Sequence, residues 1–360
     1  MGEFSCKTRI ISGAGALKKI KELKSQRFFV VSDPYFAQNG TADKLAVLSG
    51  AAETKIFSQV TPDPAVELVA QGVGQLQAFQ PDTVAALGGG SAMDCAKAMV
   101  YFSGIQARLV AIPTTSGSGS EVTDFAVISH KDGKFPLVDG ALRPDVAILD
   151  SELLEKLPKT LIADTGFDVL AHALEGYVAT KSDAFSQALG AKAFCMAFEN
   201  LLPSFKGDLS AREKMHQAAT MAGLCFTHAG LGACHAISHA LGGALHLPHG
   251  RLNAILLPVV VSRNSQVCKE QYASIARLAG IPGVSDTIAA RNLKTALCRL
   301  RKELQLPQSL QEAGVAYRDL EQVRDGIVKA ACADPCCDTN PLPVTDELVR
   351  GILKEVYDRE

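Results

Sequence analysis

Near Pro158 the chain changes character, and that change restricts the fold more than any other feature of the sequence. Before it, short apolar runs alternate with helical stretches. Arg27–Ser32 (RFFVVS), Thr83–Leu87 (TVAAL), Arg108–Ile112 (RLVAI), Ala126–Ser129 (AVIS) and Val146–Leu149 (VAIL) are short, apolar and bounded by turn-forming residues. They read as buried strands. Helical patterns fill Ala14–Leu23, Ala65–Phe79 and Ala92–Phe102. This alternation predicts a mostly parallel sheet with helices on both faces. After Pro158 the strand-like runs stop, and segments rich in Ala, Leu and small residues predict nearly continuous helix from Lys159 to Glu360. A chain of 360 residues is long enough for two domains. The expectation is an α/β domain over 1–158 and an all-α domain over 159–360, with a ligand cleft at their boundary.

Composition removes several classes of function. Hydrophobic residues at 47% and charged residues at 21% describe an ordinary globular protein. A formal charge of -2 offers no attraction for nucleic acid or an anionic membrane. The longest apolar stretch, near Ala254–Val261, is too short to span a bilayer. MGEFSCKTRIISGAG has no apolar signal core, so the expected compartment is the cytoplasm, with the ten cysteines reduced.

Two loops carry the marks of a phosphate-bearing ligand. Gly88-Gly89-Gly90-Ser91 follows TVAAL and precedes a helical run, with Ser91 placed to cap that helix and Asp94 three residues on. Glycine lets backbone N–H groups approach an anion closely, and a helix N-terminus favours negative charge. The plain alternative is a turn without a ligand, since Met93 stands where a dinucleotide fingerprint would have its third glycine. The second loop, Pro113 to Glu121, includes Thr114, Thr115 and Ser118. It reads as a hydroxyl-lined ligand loop or as a capped helix start at Ser118–Glu121. Asp33, after the first strong strand, can accept hydrogen bonds from a ribose and repel a 2′-phosphate, or can simply make an Asp-Pro turn.

Seven of the eight histidines follow residue 150. Asp168 and His172 are four apart, as are His235 and His239, and His249 follows shortly after. On helices such pairs stand on one face, so a carboxylate and several imidazoles can converge on one divalent ion. Imidazole plus carboxylate suits iron or zinc, and the absence of a thiolate argues against a structural zinc site. His130, His216, His228 and His246 read as structural or solvated. Cys332, Cys336 and Cys337 form a CxxxCC cluster with no paired partner motif, which reads as reduced thiols in a helix–loop region.

Taken together, these stretches resemble the iron-containing (group III) alcohol dehydrogenases. The resemblance rests on SDP at 32–34, TPDP at 61–64, GGGSAMDCAK at 88–97, IPTTSGSGSEVT at 112–123, RPDVAILD at 143–150, TGFDVLAHALEGYV at 165–178 and HAISHALGGALHLPHGRLNAILLP at 235–258. NPLPVT at 340–345 is most similar to the propanol dehydrogenases of bacterial microcompartments. The resemblance implies a Rossmann-like dinucleotide-binding N-terminal domain and a helical metal-binding C-terminal domain. It implies NAD, bound through Asp33, Gly88, Gly89, Gly90, Ser91, Asp94, Thr114, Thr115, Ser118 and Lys134. It implies Fe²⁺, or Zn²⁺ in related polyol dehydrogenases, held by Asp168, His172, His235 and His249, with His239 beside the metal as the catalytic residue. The expected reaction interconverts short primary alcohols and aldehydes. The expected assembly is a homodimer or larger homo-oligomer, alongside the shell or the aldehyde-producing enzymes of a microcompartment. A zinc-dependent polyol or glycerol dehydrogenase, or a non-catalytic subunit, are the competing readings. One departure stands out: Arg251 and Leu252 follow PHG, where the family has a small or acidic residue and then Ala.

Overall fold

The computed structural model describes residues 4–130 and 133–357. Ser5–Leu157 forms one compact unit, and the chain from Pro158 forms another.

The first unit is built on six parallel strands: β1 (Arg9–Ser12), β2 (Arg27–Ser32), β3 (Glu53–Phe57), β4 (Thr83–Gly88), β5 (Arg108–Pro113) and, further on, β8 (Val146–Leu149). Their order is β1-β8-β5-β4-β2-β3. Alternate residues face opposite sides. Phe29, Val31, Val84, Ala86, Leu109 and Ala111 point to one face and pack with helices α3 (Val66–Phe79) and α4 (Gly90–Ser103). Phe28, Val30, Ala85, Leu87, Val110 and Ile112 point to the other, against a 3-10 helix at Ala16–Leu23 and the short helices at Pro34–Gln38 (α1) and Thr41–Ser49 (α2). Burial on both faces is why the central strands are unbroken apolar runs.

The strands that lack such runs are the two edges. RIIS in β1 and ETKIF in β3 have a neighbour on one side only, so charged residues are tolerated there. Ala126–Ser129 corrects the expectation of a further buried strand in the main sheet. It lies in β6 (Phe125–His130), which pairs antiparallel with β7 (Gly133–Val138) as a separate ribbon. Two residues cannot make the crossover that a parallel neighbour requires, so a hairpin is the accessible geometry. The stretch expected to be helical from Ala14 is the tighter 3-10 helix.

The chain runs outward from β2 to β3, then returns to the other side of β2 to make β4 and β5. The order therefore reverses between β2 and β4, and the carboxyl ends beside such a switch point are where open α/β sheets hold ligands.

The second unit is helical: α5 (Lys159–Val178), α6 (Ala184–Lys206), α7 (Leu209–Ala229), α8 (Ala233–Leu245), α9 (His249–Leu278), α10 (Asp286–Glu303), α11 (Tyr317–Cys332) and α12 (Asp346–Tyr357). Small residues set its packing. A Cβ at Gly166 would stand 2.1 Å from a Leu201 methyl, and one at Gly176 would stand 2.6 Å from Cys225 Sγ. Among the described residues no helix is long and apolar enough to cross a membrane.

Pro258 interrupts α9, and its missing N–H deprives the Ala254 carbonyl of a helical donor. The fully buried Arg301 of α10 supplies one: Nη1 donates to Ala254 O at 2.9 Å and to Ile255 O at 3.1 Å. Arg301→Met should therefore destabilise the protein by roughly 2–3 kcal/mol in chemical denaturation, because two buried acceptors lose a charged donor. Adding Pro258→Ala should recover about 1 kcal/mol, since an alanine in that place brings its own N–H. Strictly additive losses would contradict this account of the pairing.

Candidate active site

Three loops meet the carboxyl ends of β2, β4 and β5. Asp33 follows β2 and caps α1, with Oδ1 accepting the N–H of Tyr35 at 2.9 Å and of Phe36 at 3.3 Å. Its other oxygen faces the glycine loop: a Cβ at Gly88 would lie 3.6 Å from Oδ2. The turn reading and the ligand reading of Asp33 are thus compatible, one oxygen for each. Gly88 itself has φ +155° and leaves only 2.5 Å between an added Cβ and Ala92 Cβ, so the position requires glycine.

Gly89, not Ser91, is the cap of α4. The helix begins at Gly90, which places the Ser91 hydroxyl inside the first turn. Gly89 has no side chain with which to cap α4, and a helix N-terminus left without such a cap is an electrostatic setting for an anion. Asp94 is half-buried and both its oxygens are engaged, accepting Ser120 Oγ–H at 2.6 Å and the Val127 N–H at 3.0 Å. It ties α4 to the loop after β5. Burial pushes its carboxyl up, against the pull of neighbouring Lys97.

No helix starts in that loop, which turns at Gly119–Val122 instead. Thr114 is buried and donates its N–H to Gly88 O at 2.9 Å. Thr115 Oγ1 would stand 3.3 Å from a Cβ at Gly89, and Ser118 Oγ 3.1 Å from one at Gly90. Bare glycine backbone is therefore lined by hydroxyls, a cradle that side chains at 88–90 would fill. Lys134 is paired with Ser129 in the β6–β7 ribbon, and its side chain lies outside the described residues.

In the helical unit, α5 presents Asp168, His172 and Glu175 at the i, i+4, i+7 spacing of one face. His235 comes from α8 and His249 from the first turn of α9. One ligand atom from each of Asp168, His172 and His235 lies within 4.8 Å of the others, and all three residues are buried. Asp168 Oδ1 stands 3.4 Å from His249 Nε2, 3.6 Å from His235 Nε2 and 3.9 Å from His172 Nε2. Donors about 2.0–2.2 Å from a tetrahedral ion stand roughly 3.4 Å apart, so the spacing fits a metal of that kind. The Asn253 amide donates to Asp168 Oδ1 at 2.7 Å and lies 3.3 and 3.1 Å from Nε2 of His235 and His249. The Asn253 amide thus stands among three potential metal-ligating atoms, Asp168 Oδ1 and the two imidazole nitrogens.

The electrostatics agree. Burial works against the Asp168 charge, yet His172, His249 and His235 together hold its carboxyl well below the usual range. Burial alone would push the His235 imidazole down, but hydrogen bonds to Asp168 and Glu175 raise it to about 9.

Glu175, missed in the sequence, anchors this arrangement. Its Oε2 lies 2.6 Å from His235 Nδ1, and Oε1 accepts the Cys234 N–H at 2.7 Å. One carboxylate therefore caps α8 and leaves His235 Nε2 turned toward Asp168. Gly232 permits the approach, since a Cβ there would meet Glu175 Oε1 at 2.8 Å. The seven-residue spacing from Asp168 was the available signal.

His239 lies one turn beyond His235, stacked on His249 with ring centroids 5.1 Å apart. Its side chain is 46% exposed, and Nδ1 lies 2.8 Å from Asp334 Oδ2. Arg251 and Leu252 have clear tasks. The Arg251 fork grips both oxygens of Asp164 at 3.2 and 2.9 Å, joining α9 to α5, and Leu252 is fully buried. Gly250 makes that contact possible, because a Cβ there would fall 2.0 Å from Asp164 O.

Comparison with known proteins identifies the family. The profile of the iron-containing alcohol dehydrogenases matches residues 7–151, and that of the family's C-terminal region matches 162–357. The chain belongs to the iron-containing alcohol dehydrogenase family. This enzyme is 43% identical to the 1-propanol dehydrogenase PduQ of Salmonella typhimurium, over 99% of its own length and 100% of that protein's. It is 37% identical to an NADPH-dependent butanol dehydrogenase of Clostridium saccharobutylicum, over 99% and 98% of the two chains. Its fold matches a sulfoacetaldehyde reductase of Bifidobacterium kashiwanohense solved with NAD⁺, at a TM-score of 0.90 and 26% identity, covering 100% of both chains.

The Glu175–His235 contact predicts that Glu175→Gln weakens divalent-metal binding by about 10–100-fold, measured by chelator competition. Wild-type affinity in that variant would contradict the anchoring role.

Proposed function

We propose that the enzyme is an NAD-linked, Fe²⁺-dependent alcohol dehydrogenase that interconverts short primary alcohols and their aldehydes, 1-propanol and propionaldehyde among them. The observation that carries this reading is the convergence of three imidazoles on the buried Asp168 carboxylate at 3.4–3.9 Å. Asp168, His172, His235 and His249 would hold the ion. When bound, the ion supplies a Lewis acid for the substrate oxygen, and the nicotinamide supplies or takes the hydride.

The remaining work belongs to the chain. Glu175 keeps His235 in the tautomer whose Nε2 lone pair is available. Phe226 stacks on His172, centroids 4.5 Å apart, and excludes water from that side of the donors. His239, linked to Asp334 and reaching solvent, passes the alcohol proton outward. In the first unit, Asp33 Oδ2 accepts from the adenosine ribose and repels a 2′-phosphate, while the α4 N-terminus and the hydroxyls of Thr115 and Ser118 receive the pyrophosphate. The likeness to microcompartment propanol dehydrogenases extends the proposal to a homo-oligomer working beside an aldehyde-producing enzyme.

Anaerobic loading with Fe²⁺ should produce NADH oxidation with propionaldehyde that decays in air and returns with Fe²⁺ and a reductant. Full activity in air with stoichiometric zinc, and no gain from iron, would support the zinc-dependent reading instead. Asp33→Gly should narrow the preference for NADH over NADPH by a few kcal/mol, on the order of a charge-assisted hydrogen bond. Equal use of both cofactors by the unaltered enzyme would show that Asp33 does not discriminate.

A further inference from the structure

A second set of donors lies beside the first and is not used by the chemistry above for binding. Asp334 opens the 3-10 turn Pro335–Thr339, and its Oδ1 accepts the Cys336 N–H at 2.8 Å, so carboxylate and thiol share one turn. His239 brings Nδ1 to 2.8 Å from Asp334 Oδ2. One ligand atom from each of the three lies within 4.8 Å of the others. The group is reachable: His239 is 46% exposed and Cys336 is partly buried.

We propose that His239, Asp334 and Cys336 form a second, inhibitory metal site for a zinc-class divalent cation. A thiol, an imidazole and a carboxylate are the donor types that zinc and cobalt favour, whereas the Asp168 cluster offers no sulfur. The two clusters thus sort cations by softness.

On binding, the Cys336 sulfur gives its proton to solvent and the His239–Asp334 hydrogen bond opens. The three donors then settle at the roughly 3.3–3.8 Å separations that a tetrahedral ion requires, His239 and Asp334 moving slightly apart, and water takes the fourth position. The captured His239 can no longer relay a proton. That inhibitory consequence rests on the proposed function, while the binding does not.

Co²⁺ is the probe, added anaerobically to full-length protein already carrying one equivalent of Fe²⁺. A thiolate-to-cobalt charge-transfer absorption should appear with the added equivalent. It should persist in Cys332→Ser and Cys337→Ser, and vanish in Cys336→Ser, Cys336→Ala and His239→Ala. Zn²⁺ should inhibit NADH-linked turnover of the iron-loaded enzyme, and Cys336→Ser should keep its basal turnover while needing roughly tenfold or more Zn²⁺. No thiolate absorption, or one that survives Cys336→Ser, would overturn the site. Absorption without any Zn²⁺ inhibition would overturn its inhibitory role.

Discussion

A carboxylate buried among helices must find positive charge or strong donors, and Asp168 imposes that demand on the whole helical unit. Burying an uncompensated charge is among the costliest things a fold can do. The compensation comes from three helices: His172 from α5 itself, His235 from α8 and His249 from α9. Glu175, seven residues on, repeats the arrangement by caging His235 from its other nitrogen. The helices must approach closely for this to work, and glycines at 232 and 250 stand where any Cβ would strike Glu175 or the Asp164 backbone. Glycine at these two positions is therefore a consequence of the electrostatics, whereas Gly166 and Gly176 serve the packing of the helices.

The first unit meets a related demand by different means. Its carboxyl edge offers the bare glycine backbone at the start of α4, beside the Asp33 carboxylate. Gly88–Gly90 keeps Cβ atoms away from the α4 N-terminus, and Asp94 pins the neighbouring loop through Ser120 and Val127. The buried Lys97 adds three bonds to that loop, to Thr123 O, Thr123 Oγ1 and Phe125 O at 2.9–3.1 Å. A loop so fixed presents its hydroxyls in a defined position, which a flexible glycine turn could not do.

What was legible in the sequence followed from burial. Strands covered on both faces show as unbroken apolar runs, so β2, β4, β5 and β8 can be read directly, whereas edge strands β1 and β3 carry charges and cannot. Ala126–Ser129 is apolar enough to pass for a central strand, but apolarity does not report the partner, and its partner is the adjacent β7. At the site, helical spacing placed Asp168 with His172 and His235 with His239. Spacing alone could not say that His249 would close the group from a third helix, or that His239 would turn toward Asp334 ninety-five residues away. Capping was the weakest inference: a serine after three glycines looks like a helix cap, yet the backbone turns two residues earlier and Gly89 takes that place.

The central claim is that a single ion is held by Asp168 with the three histidines, apart from the sulfur-containing group beside it. Anomalous diffraction at the iron absorption edge, from crystals of the anaerobically iron-loaded enzyme, tests it most directly. The account predicts one strong peak about 2.0–2.2 Å from a carboxylate oxygen of Asp168 and from Nε2 of His172, His235 and His249. A peak among His239, Asp334 and Cys336 with the Asp168 cluster vacant would contradict it, as would iron bound without His249.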